Sequence, residues 1–174
     1  MDIPLHLHRW ERRPFDRTAA VVAGFTGGAM MMAVELLWSA VSPGPAGAWH
    51  TPHLVAALLL GPQVLWQVPY AFDPGVLVAA LVTHYLLGIG FGVVLAAVAT
   101  GFGFDRDTPA ILLLGAVFGL VLYAVNFHVM VGLFPWFAEL QGWPTAVAHL
   151  VFGVTAALLY HHLARRPADT RRHE

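Results

Sequence analysis

Cysteine and lysine are both missing from this sequence of 174 residues. Without cysteine there is no disulfide, no thiolate metal site and no iron–sulfur cluster. Charge of either sign is scarce. Only 11% of residues are charged, where a soluble domain has about a quarter. Between Thr18 and Thr100 the only charges are Glu35 and Asp73. A formal net charge of −1 gives no footing for nucleic acid. Catalytic motifs are missing too: there is no hydrolase triad and no phosphate loop. Gly101-Phe-Gly103 lacks the strand and helix that a dinucleotide site needs, so the chain offers no catalytic constellation.

What is abundant is apolar sequence, 58% of the chain. That composition specifies an all-α polytopic membrane protein rather than a soluble domain. Four runs are long enough to span a bilayer that needs about 20 residues: 18–41, 75–100, 109–134 and 144–163. Breaker clusters separate them, SPGPAGAW after the first and GFGFDRDT after the second. Asp107 or Thr108 is placed to cap the helix that starts at Pro109. The run 54–68 is shorter and broken by Pro62, which suits an interfacial or re-entrant segment on the outer side.

Arginines set the topology. Residues 1–17 hold Arg9, Arg12, Arg13 and Arg17, and the tail 164–174 holds Arg165, Arg166, Arg171 and Arg172. Positive ends stay cytoplasmic, so both termini lie inside and the crossings are even in number. Four spans satisfy this if 54–68 does not cross. Arg106 then falls inside, and Trp49, Trp66, Tyr70, Trp136 and Trp143 form an outer aromatic belt. The start of the chain lacks the pattern of a cleaved signal peptide. The expected location is a bacterial inner membrane.

Depth along the spans brings out a polar layer. Glu35, His84, Asn126, His128 and His149 all lie roughly 8–13 Å below the outer boundary, at ~1.5 Å per residue. Four helices thus each supply a polar side chain to one level. Asn126 and His128 sit about 200° apart on their helix, so one or the other faces the bundle axis. Imidazole and carboxylate ligate zinc, iron or copper, which makes Glu35, His84, His128 and His149 a candidate metal set. Two histidines on facing helices can instead hold haem b, with Gly88 and Gly132 leaving room for the ring. A third reading is a proton-responsive or transport site. The bland one is a hydrogen-bonded network that only joins helices, as in an accessory or assembly subunit. Tyr123, Thr83, Asn126 and Glu139 are candidates to support the layer by hydrogen bonds. His50 and His53 read as an exposed loop, and His161 and His162 as a solvated helix end. The pairs Gly24/Gly28, Gly88/Gly92 and Gly115/Gly119 allow close helix contacts, within the bundle or in a homodimer or larger membrane complex.

The order AVELLW, SPGPAGAWHTPHLVAALLLGP, FDPGVLVAALVTHYLLGIGFG, LYAVNFHVMVGLFPWF, AHLVFGVTAALLY resembles short uncharacterised four-helix inner-membrane proteins of proteobacteria. The resemblance covers residues 20–163. Some of those proteins carry a sodium:proline symporter label, which implies many more helices than this chain has. The first-span acid and the late AHLVF are also similar to YagU-like inner-membrane proteins. Both resemblances imply a multi-pass membrane fold, and neither implies catalytic residues.

Overall fold

A computed structural model describes residues 14–42 and 47–164. The arginine-bearing segments 1–13 and 165–174, and Pro43 to Ala46 of the first loop, lie outside the described residues. Helix α1 is Arg17–Val41, α2 His50–Leu60, α3 Pro74–Phe102, α4 Thr108–Ala124 and α5 Trp143–Ala164. Beyond Ala124 the helix α4 continues through a π-helical turn, Val125–Val129, and a 3-10 turn, Met130–Gly132. No strand occurs among the described residues. Four helical stretches are long and apolar enough to cross a membrane: Arg17–Val41, Pro74–Phe102, Thr108–Gly132 and Trp143–Ala164. Their outward faces carry Leu36, Leu37, Leu86, Leu113 and Val129, all exposed, as a lipid-facing surface requires.

Aspartates start three of the helices. Asp16 Oδ1 accepts from Ala19 N at 2.9 Å. Asp73 Oδ1 accepts from Gly75 N at 2.7 Å, with Pro74 opening α3. Asp107, rather than Thr108, caps α4, its Oδ2 accepting from Ala110 N at 3.2 Å. Each carboxylate satisfies an amide that has no partner in the first helical turn. Gly103, at φ 73°, ends α3 in the left-handed region where a side chain would be strained.

The short run is a half-helix. Gly61, at φ 91°, stops α2 ahead of Pro62, and a 3-10 turn Pro62–Leu65 follows. Eleven residues rise about 16 Å, half of a ~30 Å bilayer core. Helix α2 packs along α3, with Ala56 against Val76, Ala79 and Ala80. It lies at the same end of the bundle as the 3-10 segment Pro135–Leu140, and we term this the lid end.

Packing differs between the two ends. At the end where α3 turns into α4, alanines close the core: Ala19, Ala20, Ala23, Ala96, Ala99, Ala156 and Ala157 surround Leu95, Ile111 and Tyr160. Tyr160 and Thr100 share a buried hydroxyl bond of 2.7 Å. His161 is not the solvated residue its position suggests, because the α3–α4 turn folds over it. Its Nδ1–H donates to the Asp105 carbonyl at 2.8 Å, and Thr108 Oγ1 lies 3.1 Å from its Nε2. His162 stays exposed.

Glycines set the crossings in the middle of the bundle. A Cβ on Gly24 would lie 2.5 Å from the Gly88 carbonyl oxygen and 3.0 Å from Gly92 Cα. A Cβ on Gly115 would lie 2.6 Å from the Gly153 carbonyl oxygen. The glycine spacings are therefore occupied by internal contacts, α1 on α3 and α4 on α5.

Candidate functional site

Beyond the glycine crossings a cavity of about 110 Å³ opens under the lid. Each helix brings a polar side chain to it: Glu35 from α1, His84 from α3, Asn126 from the π turn and His149 from α5. Thr51 of α2 adds a hydroxyl from above. The remaining lining is apolar and aromatic, Phe91, Phe127, Phe137 and Phe152 among it.

The structure brings Glu35, His84, Asn126 and His149 together and leaves His128 out. His128 is exposed, its ring centroid 5.4 Å from that of Tyr123 in an edge-on arrangement. The π turn aims Asn126 inward, and the two residues cannot share a face. A π turn disrupts the regular ladder of backbone bonds, and such turns recur at functional sites. Here Gln141 donates its side-chain Nε2–H to the Phe127 carbonyl inside the turn. Gln141 was not among the residues singled out from the sequence.

Both histidines and the Asn126 amide are engaged. His84 Nε2–H donates to the Gly28 carbonyl at 2.9 Å, joining α3 to α1. His149 Nδ1–H donates to the Thr145 carbonyl at 2.8 Å, one turn back in its own helix. Its Nε2 is left to accept from the Asn126 amide at 3.4 Å, joining α5 to α4. Glu35 differs: no hydrogen-bond donor meets its carboxyl among the described residues.

The supporting residues divide. Tyr123 does support the site: its hydroxyl accepts from Gly142 N at 3.1 Å and its ring stands 6.0 Å from His149. Thr83 does not line the cavity, and its Oγ1 is buried without a partner among the described residues. Glu139 is exposed and lies on the lid, where it pairs with His50 Nε2 at 2.8 Å. A second link closes the lid, Trp136 Nε1–H donating to the Leu54 carbonyl at 3.1 Å. His50 and His53 belong to helix α2 rather than to a loop. His53 is buried, and the Tyr70 ring stacks on His50 at 5.4 Å and lies tilted against His53 at 4.8 Å between centroids. Partial burial and the Glu139 charge push the Tyr70 phenol above its usual value.

The donor set falls short of the expected metal site. No three of His, Asp and Glu converge to hold an ion among the described residues. His128 is exposed and does not line the cavity. The haem reading meets a size limit. The cavity of about 110 Å³ is smaller than the ~150 Å³ engineered void that holds benzene. Gly88 leaves no room for a macrocycle either, since a Cβ there would sit 3.1 Å from the Gly24 carbonyl oxygen.

A sequence signal for the site exists in the glycines. Glu35 follows Gly28 by seven residues, and Asn126 follows Gly119 by seven. His84 precedes Gly88 by four, and His149 precedes Gly153 by four. Offsets of four and seven return to about the same helix face. Each cavity residue therefore lies above a glycine on the packed face of its helix. No family model matches the chain, and neither a curated protein nor a solved structure matches it.

Proposed function

We propose that the chain is a small multi-pass protein of a bacterial inner membrane whose lid-end cavity is a proton-exchanging binding site of a transporter, with Glu35 as the titrating group. The lid end faces the periplasm and the termini lie in the cytoplasm, an orientation that rests on the arginines near both ends. The observation that carries the reading is the Glu35 carboxyl, without a hydrogen-bond partner among the described residues inside a mostly apolar cavity. An acid within a membrane helix is costly, up to roughly 2.5–3.5 kcal/mol at the centre. Interhelical hydrogen bonds return only ~0.6 kcal/mol on average, and Glu35 makes none. Stability therefore does not account for it, whereas a group that gains and loses a proton as ligand enters and leaves does.

Infrared difference spectroscopy between mildly acid and mildly alkaline samples tests this. A protonated-carboxyl band should appear with acid in the wild type, persist in His128→Ala and vanish in Glu35→Gln. A spectrum that does not change on Glu35→Gln would remove the reading.

A second reading has its own observation. The bonds His84–Gly28 and Asn126–His149 each join two helices, as the polar network of a non-catalytic accessory subunit would. It predicts that Glu35→Gln is silent in every assay while His84→Ala loosens the bundle.

A further inference from the structure

The lone pairs in the cavity indicate what it takes. His84 has given its Nε2 proton to the Gly28 carbonyl, which leaves Nδ1 a bare acceptor. His149 has given its Nδ1 proton to the Thr145 carbonyl, and Nε2 is the acceptor there. Asn126 turns its amide donor to His149, and its carbonyl oxygen is a further acceptor. Ionised Glu35 only accepts. No arginine and no second acid lines the cavity. Acceptors thus outnumber donors, and the only formal charge available is negative. An anionic ligand would meet lone pairs and a like charge. An uncharged apolar ligand would offer no donor to these lone pairs and no charge to exchange for the Glu35 proton. A divalent ion would find too few ligands.

We infer that the cavity binds a small protonated alkylamine in exchange for the Glu35 proton. This rests on the reading of Glu35 as the proton-exchanging group. The ammonium head supplies several N–H donors to Glu35 and its neighbours, and the alkyl part lies among the phenylalanines. Size follows from the volume. An engineered cavity of ~150 Å³ holds the six carbons of benzene, so about 110 Å³ holds about four or five non-hydrogen atoms. The exchange balances in atoms and charge: R–NH3⁺ and the Glu35 carboxylic acid give the carboxylate–ammonium pair and one free proton. No bond in the amine is made or broken.

The test uses the full chain in mild detergent and n-propylammonium chloride as the probe. Calorimetry in two buffers of different ionisation enthalpy counts the protons released. At acid pH, binding should release close to one proton per amine, and the affinity should rise as pH rises. Glu35→Gln should weaken binding at least tenfold, and His128→Ala, exposed and outside the cavity, should leave it unchanged. Should Glu35→Gln fail to fold, the wild type decides by itself. Neither n-propanol, propionate nor tetrapropylammonium should compete with n-propylammonium. Binding of n-propanol as tight as that of the amine, retention of amine binding in folded Glu35→Gln, or no amine binding at all would overturn the inference. If the Glu35 infrared band is present but no amine binds, this inference fails alone. If the band is absent, the proton-exchange reading fails and takes this one with it.

Discussion

Replacing Gly153 with alanine should drive α4 and α5 apart. The added Cβ would fall against the Gly115 carbonyl oxygen, 2.8 Å from Gly119 N and 3.0 Å from Gly119 Cα. All three are backbone atoms, so no side chain can rotate out of the way. Overpacking of this kind costs typically about 1–3 kcal/mol, and the rigid backbone places Gly153→Ala at the upper end. The better helix propensity of alanine returns up to about 1 kcal/mol. The net loss is about 2 kcal/mol. For a chain of this length each kcal/mol lowers Tm by roughly 2–4 °C, so Gly153→Ala should melt roughly 4–8 °C early. Gly90→Ala is the control, because a Cβ there meets nothing within 4 Å. It gains the propensity without the clash and should melt at or above the wild-type temperature. Both melts are followed by circular dichroism in one mild detergent. The opposite signs make the comparison decisive, since a general effect of alanine on the bundle would move both variants the same way. If Gly153→Ala melts like Gly90→Ala, the α4–α5 crossing is not as close as described, and the position of His149 above it loses its basis.

The buried hydroxyl pair offers a second prediction. Tyr160→Phe strands the Thr100 hydroxyl of the 2.7 Å bond and should cost about 1–3 kcal/mol, and Thr100→Val should cost less, because the Tyr160 hydroxyl keeps the Asp16 backbone as a partner. The double variant should cost clearly less than the sum, read by a denaturation cycle; additive losses would mean that the two hydroxyls do not meet. A third concerns Tyr70, whose phenol is raised first by burial and then by the Glu139 charge. A raised acid means that the fold prefers the neutral phenol. Its contribution is present below the free tyrosine value of about 10 and is lost as pH climbs through the folded value. An ultraviolet titration, with Tyr70→Phe to assign the signal, should show Tyr70 ionising at lower pH in Glu139→Gln than in the wild type. Identical titrations would place Glu139 away from the ring.

The spans were legible in the sequence for a simple reason. A helix in lipid must be apolar along its whole length, so hydropathy alone marks where it begins and ends. The half-helix α2 was legible as a short apolar run broken near Pro62. Rotation about each helix axis was not legible in the same way. A helix that is apolar all round carries no stripe to say which side faces in, and Asn126 and His128 stayed undecided for that reason. His161 was misjudged from its place near the end of α5. What buries it is the carbonyl of Asp105 on another turn, and periodicity along α5 carries no trace of that. Gln141 has no local signal either, because the carbonyl it satisfies exists only where the π turn has disrupted the ladder.

One pattern does fix rotation without any apolar stripe. Helices that cross at glycine must put the glycine on the contact face, since only there does its missing side chain allow a close approach. Any polar residue four or seven positions from such a glycine is then carried towards the neighbouring helix. Asn126 lies seven residues from Gly119 and so falls on the α5 side. His128 lies nine away, about 180° round, and so falls outside. The same rule puts Glu35 above Gly28, His84 above Gly88 and His149 above Gly153. It also explains why the cavity lies where it does. Alanines hold the helices together at one end, glycines set the crossing, and past the crossing larger polar side chains line the cavity under the lid. The void and its polar lining therefore have one cause, the order of small and large residues along the contact faces. The carboxyl of Glu35 is the acid of that lining, met by no donor among the described residues, and this is where a cationic ligand would fit.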